Sequence, residues 1–172
     1  MGARLRWLPF ELHPETPPGG APKPFSPREW PEIRARLLRF AGMVGLPMDP
    51  PQRNLNSRLA LETGELVRER GGDAAAGRFH HAASRAYFAE GRDISDPAVV
   101  AELAAPFGIA PGDVEEAWRE RRYREAVDAA FQAGIDAGVT GVPAFGWPGG
   151  RAVAGMQEPE QLVAVLEQLH GH

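Results

Sequence analysis

The sequence contains no cysteine. That absence removes structural disulfides, thiolate-bound zinc, iron–sulfur clusters and any thiol nucleophile. Lysine is almost as scarce. Lys23 stands alone against abundant arginine, alanine, glycine and proline, a bias that follows from a GC-rich genome; hyperthermophile proteins gain lysine instead. No apolar run approaches the roughly 18 residues that a membrane span needs. The formal net charge is −4 and no basic run exceeds a few residues, so no nucleic-acid partner is expected. The opening MGARLRWLPFELHP lacks a continuous apolar stretch and a small-residue cleavage site, so it does not read as a signal peptide, and the expected location is the cytoplasm. What is present is ordinary for a globular protein: 172 residues, 43% apolar and 24% charged, enough to bury one core.

Along the chain the hydrophobic period changes twice. Residues 4–10 alternate loosely and carry Leu5, Trp7, Leu8 and Phe10, which predicts a short strand. Pro9 lacks a backbone donor, so that strand belongs at a sheet edge. Residues 13–25, HPETPPGGAPKPF, read as a loop. A long helical stretch follows. Its first helix opens at Trp30–Pro31, should turn Ile33, Leu37, Leu38, Ala41 and Val44 to one side, and ends at Gly45 and Pro47. A second helix is expected over residues 54–70, with Leu59, Leu66 and Val67 inward, stopped by Gly71 and Gly72. A third covers residues 74–90, with Phe79, Ala83, Ala86 and Tyr87 on one face. SDP at residues 95–97 is an N-cap followed by proline in the first turn, and that helix closes at Gly108. APGDVEEAW opens another, and residues 121–137 continue helically to Gly138. The period then shortens. Residues 142–147 and 151–154 read as strands around a turn at Pro148, Gly149 and Gly150, a hairpin signal. Residues 158–170 form a last helix with Leu162, Val163, Val165, Leu166 and Leu169. The order is strand, helices, hairpin, helix, an α/β pattern with a helical block inside it.

Three stretches carry a resemblance: LPFELHPETPP near the start, FHHAASRAYFAEGRDISDPAVVAELA in the middle, and AGVTGVPAFGWPGGRAVAGMQEPEQLVAVL near the end. Together they resemble the DsbA-like thioredoxin-fold oxidoreductases of the FrnE type, which share their architecture with 2-hydroxychromene-2-carboxylate isomerases and kappa-class glutathione transferases. The resemblance implies a thioredoxin-like α/β fold with a large helical insertion. The sheet domain would comprise residues 1–26 and 138–172, and the insertion residues 27–137. It also implies a cis proline at Pro143, with Val142 offering its backbone to an extended peptide or a small disulfide, and Thr140 and Gly141 shaping the turn. The physics is compatible, because an X–Pro bond adopts cis at small cost and a turned chain leaves backbone groups free to pair with a peptide edge.

One departure is large. The family carries Cys-x-x-Cys at the start of its first helix, where the helix N-terminus lowers the thiol pKa. Here the first strand aligns with the family's second, and the first strand, the motif and the first helix, about 30 residues or the size of a βαβ unit, have no counterpart. The resemblance therefore implies an N-terminally incomplete fold with no catalytic residue in this chain. The strand order would leave residues 4–10 and the hairpin without their shared neighbour and expose unpaired edges. Three explanations stand at this point: a start upstream of Met1, a non-catalytic binding module, or an enzyme with another nucleophile. A homodimer that lends a strand is compatible with each.

Of the remaining candidates, His13 lies on the loop that nears the redox end in the family, where it could tune a thiolate or bind a carboxylate, or be a plain loop histidine. His80 and His81 are adjacent on a helix, about 100° apart, and no acidic residue sits with them at ligand spacing, so no metal is expected. Asn54 and Asn56 fall where the isomerase and transferase branch contacts ligand, though Asn56 also suits a helix cap before Arg58. Gly155, Met156 and Gln157 are expected at a helix N-terminus, a natural carboxylate or glutathione site. The glutathione-binding branch tends to carry Ser-Asp there, so Met156 and Gln157 favour the FrnE-like reading. No cofactor is expected on that reading; glutathione belongs to the alternative, an isomerase or transferase.

Overall fold

The computed structural model describes residues 5–147 and 152–170. Helices dominate: α1 (Trp30–Met43), α2 (Arg58–Phe88), α3 (Pro97–Ala104), α4 (Pro111–Arg119), α5 (Arg124–Asp136) and α6 (Pro159–His170). Among the described residues, four two-residue strands make two antiparallel ladders. β1 (Ala21–Pro22) pairs with β2 (Arg53–Asn54), and β3 (Ala144–Phe145) pairs with β4 (Val153–Ala154) in the register Ala144 to Ala154 and Phe145 to Val153.

The helix ends follow the sequence signals. Asp96 caps α3, its carboxylate accepting from the Ala98 N–H at 2.8 Å with Pro97 in the first turn. Gly108 is left-handed (φ 74°) and ends the short 3-10 turn Ala105–Phe107 behind α3. The two helices expected around Gly71 and Gly72 are one element with a break, because Gly72 alone is non-helical (φ 72°, ψ −176°). The second half of that element leaves the axis of the first at a residue whose conformation side chains disfavour.

The core lies among α2, α3, α4 and α5. Leu66, Val67, Phe79, Val100, Ile109, Val114 and Val127 are almost or fully sealed from water. Around them stand alanines, Ala83, Ala86, Ala101, Ala104 and Ala117 among them, which let the helices approach closely. The Phe79 and Phe107 rings meet edge to face at 5.9 Å. Burying one side chain of Leu or Phe size stabilises by about 1.5–3 kcal/mol, so this cluster is the main apolar contribution to the fold.

Several expectations need correction. Residues 5–10 form no strand, since no ladder partner lies beside them among the described residues; a strand cannot satisfy its own N–H and C=O groups. Residues 13–25 are not all loop, because β1 pairs there. Asn54 is in β2 rather than α2, which begins four residues later. That pairing depends on a residue distant in the chain. Gly20 is left-handed (φ 80°), and a Cβ on it would lie 2.5 Å from the Asn54 carbonyl oxygen. Residues 121–137 are not one helix: Arg121 is left-handed (φ 54°), and α5 starts after it. On α1 only Ala41 is buried; Ile33, Leu37 and Leu38 are half-buried, and Val44 is 68% exposed. Leu59 is half-buried too, and none of Leu162, Val163, Val165 and Leu166 of α6 is buried. The turn expected at Pro148, Gly149 and Gly150, with Arg4 and Arg151 at the ends of expected strands, lies outside the described residues.

Candidate functional site

The loop expected to face a substrate is built by the end of α5. Gly138 is left-handed (φ 81°). Its N–H donates to the Ile135 carbonyl at 2.9 Å, and the Val139 N–H donates to the Gly134 carbonyl at 2.9 Å. These two bonds close the helix in a Schellman motif and throw residues 140–143 outward. The Val142–Pro143 bond is cis. On the far side the loop is pinned by the hairpin: the Pro143 carbonyl accepts from the Gly155 N–H at 2.7 Å, and the Ala152 N–H donates to the Ala137 carbonyl at 3.0 Å. Thr140, Val142 and Pro143 are exposed and Gly141 is half-buried. Among the described residues, nothing pairs with the N–H or C=O of Val142. The loop therefore holds a fixed base and a free backbone edge.

His13 and Gln157 are not gathered into one pocket with that loop. His13 lines a half-open cavity of about 320 Å³ with Glu15, Thr16, Pro17, Pro22, Pro24 and Asn54. None of residues 140–143 lines it, nor does Gln157. The His13 Nδ1 stands 3.4 Å from the Glu15 carboxylate. Asn54 accepts from the Lys23 ammonium at 3.0 Å, and burial pulls that ammonium below the ordinary lysine range. Asn56 serves structure: its side-chain oxygen accepts from the Arg58 N–H at 2.9 Å, and its amide donates to the Thr16 carbonyl at 2.7 Å. Gln157 precedes α6 by two residues, so it does not stand in the helix's first turn. Its amide turns back toward the carbonyls of Ala154 (3.4 Å) and Gly155 (3.3 Å).

The N-terminal segment is held to the helical block by contacts that are mostly polar or aromatic. Trp7 stacks on His80 at 4.0 Å and meets His81 edge-on at 5.5 Å. Gly77 makes room for it, since a Cβ there would lie 3.2 Å from the indole. The Trp7 carbonyl accepts from Arg68. Phe10 tilts against Phe131 at 4.9 Å and crowds Gly134, where a Cβ would lie 2.8 Å from its ring. Buried Glu11 accepts from Arg58 at 3.1 Å, and Arg58 also reaches Glu62 (2.7 Å) and Asp128 (2.6 Å). Burial works against the Arg58 charge, but its three carboxylate partners outweigh it and raise the guanidinium pKa further. The Arg58 and Glu62 spacing of four residues was readable as a helix pair; the contribution of Glu11 from another segment was not. For His80, burial and then the neighbouring His81 pull the imidazole below its ordinary range. Tyr87 is half-buried against the core, as its helix face predicts, and donates to the Arg53 carbonyl at 2.6 Å, tying α2 to β2.

The model of the DSBA-like thioredoxin domain matches residues 1–167. The chain belongs to that family. A comparison with curated protein sequences found no match. Among solved structures, the chain is similar to a probable DsbA oxidoreductase from Streptomyces coelicolor, at 26% identity and a TM-score of 0.78, covering 95% of this chain and 74% of that one. It is similar to a 2-hydroxychromene-2-carboxylate isomerase at 25% identity and a TM-score of 0.61, covering 83% here and 66% there. The cytosolic disulfide reductase DsbM from Pseudomonas aeruginosa shares the fold at 22% identity and a TM-score of 0.56, covering 82% of this chain and 77% of that one. The fold is thus the DsbA-like thioredoxin fold with its helical insertion. This member is an oxidoreductase-family homologue whose chain holds no cysteine. Among the described residues no helix is long and apolar enough to cross a membrane.

Proposed function

We propose that this chain is the substrate-presenting part of a FrnE-like thiol–disulfide exchange system in the cytoplasm. Residues 140–143 would align an extended peptide or a small disulfide along the free backbone edge of Val142. Thr140 and Gly141 leave that edge accessible, and the hairpin keeps it rigid. The observation that carries the reading is the exposed, unpaired Val142 backbone on a pinned loop, in a chain whose family performs disulfide chemistry. Extended partners bind such edges through main-chain hydrogen bonds. His13 lines a separate cavity, so its part would be to hold the flank of a longer substrate. Gln157, turned toward the hairpin, would support the loop from behind. The FrnE-like and cytoplasmic parts of the reading rest on the three resembling segments. The two-part domain division, residues 1–26 with 138–172 and residues 27–137, belongs to the same proposal and is supported by an apolar core that lies within residues 41–127.

The exchange step needs a thiolate, and this chain supplies none. A cysteine thiolate outside it would attack the presented disulfide, forming a mixed disulfide and releasing the substrate's other sulfur as a thiolate. The glutathione-dependent isomerase remains the second reading, favoured by the likeness to the isomerase at 25% identity and disfavoured by Met156 and Gln157 at the expected Ser-Asp position.

Two measurements test the proposal. Intact mass of the protein from its native host, after thiol alkylation, should show added alkyl groups on a species heavier than 18.6 kDa. A heavier species without alkylation would select the glutathione-dependent reading. Calorimetric titration of this chain with an oxidised, extended peptide should show binding that Val142→Pro, which removes the N–H, abolishes. Binding unchanged in that variant would overturn the role given to the loop.

A further inference from the structure

α1 is a helix without enough to pack on. Of its 14 residues only Ala41 is buried, although an isolated helix of this length is marginal in water and relies on tertiary packing. Spacings of three and four residues bring Glu29, Glu32, Arg36, Arg39, Phe40 and Met43 onto one flank, and all six are exposed. Met43 is 80% exposed and Phe40 43%, large apolar groups of the kind that mark an interaction surface when they cluster. Of the four charges on the same flank, Glu29 has a partner, its carboxylate accepting from the Ser26 N–H at 2.8 Å. Among the described residues, Glu32, Arg36 and Arg39 enter no ion pair; instead Glu32, Ile33, Arg36 and Arg39 surround a small recess of about 80 Å³. Arg34 differs, as it lies on the other side and reaches Asp49 at 3.0 Å.

The order of charges along the flank is acidic first and basic second, which makes it complementary to itself in reverse. We propose that α1 pairs antiparallel with α1 of a second copy of this chain, about a two-fold axis at the level of Arg34. That register sets Glu32 against Arg36 and Glu29 against Arg39, each twice, because a two-fold contact repeats itself. It also brings Met43 toward the partner copy's aromatic end, where Phe25 and Trp30 stack at 6.1 Å, and sulfur–aromatic contacts are favourable. The partner fitted is therefore this chain itself. The contact is small against the usual size of a stable interface, so the dimer is weak and salt-sensitive.

Sedimentation of the full chain at tens of micromolar should show a reversible monomer–dimer equilibrium that shifts to monomer with added salt. Arg36→Glu should weaken the association by about a hundredfold, since one reversal turns two attractive contacts into two repulsive ones. Glu32→Arg should do the same, and the double variant Glu32→Arg with Arg36→Glu should recover the dimer. Met43→Glu should abolish it while far-UV circular dichroism stays unchanged. A chain that remains monomeric throughout would overturn the proposal and leave the flank to a different protein. A dimer indifferent to all four variants would overturn it too, placing the contact on another face such as the open edge of residues 5–12.

Discussion

The helical block and the segments that flank it are built on different principles. Apart from Ala41, every buried residue of the apolar core lies between Ala60 and Val127. The hairpin and α6, by contrast, bury no large side chain among the described residues. The N-terminal segment is intermediate. It buries Glu11 and Thr16, yet Leu5, Leu8 and Leu12 point to water with 67, 57 and 43% exposure. Its attachment is an ion cluster at Arg58, a stack on His80 and a close approach at Gly134. The difference teaches where cooperativity lies. Helices complete their own hydrogen bonds and can pack with near neighbours in sequence, whereas sheet segments need partners from elsewhere in the chain.

The comparison breaks most visibly if the core is cut. Phe79→Ala should cost about 3–5 kcal/mol, read as a collapse of the urea midpoint, whereas Leu162→Ala on α6 should move that midpoint only slightly. Equal effects would mean that the flanks share the core's stability. Next comes the tether. Arg58→Met leaves Glu11 buried without its cation and Glu62 with only Arg121, at 3.5 Å, and should cost about 3 kcal/mol. Amide exchange over residues 5–12 should accelerate at the same time, while α3 and α4 keep their relative protection. Third, Gly134→Ala drives a Cβ into the Phe10 ring and should cost about 1–2 kcal/mol. In a Phe10→Ala background that penalty should vanish, and its persistence would show that the crowding is not with Phe10.

The smallest effect is a pH dependence. The His80 pKa is lowered in the folded state, so the unfolded chain binds its proton more readily. The contribution of His80 is fully present above the unfolded value, near 6.5, and is lost as pH falls toward the folded value. Melting temperature should fall as pH drops below 6.5, and His80→Phe, which keeps a ring against Trp7, should flatten that fall. An unchanged slope would remove His80 from the account.

Much of this was legible in the sequence because the signals are local. Asp96 with Pro97, Gly108 and Gly138 each act through the backbone of their own turn, and they end or begin helices where expected. The cis bond before Pro143 was expected too, but from the family resemblance rather than from the local residues. Two placements were not legible, for a common reason. Asn54 was read into a helix because nothing nearby says that Gly20, 34 positions earlier, leaves room for its carbonyl. His13 was grouped with the loop by resemblance, while its surroundings depend on how the proline-rich segment folds back on β2.

The helical block is written in the order of the residues: the apolar periodicity, the glycine breaks, the caps, the family resemblance and the lack of any thiol. That residues 5–12 run without a ladder partner, that Glu11 and Arg58 meet, and that α1 leaves a charged and apolar flank bare follow from how the folded chain packs. A helix carries its hydrogen-bond partners within itself, so its residues can be read in isolation. A strand, an ion cluster or an exposed face is defined by what lies beside it, and that is settled only when distant parts of the chain are brought together.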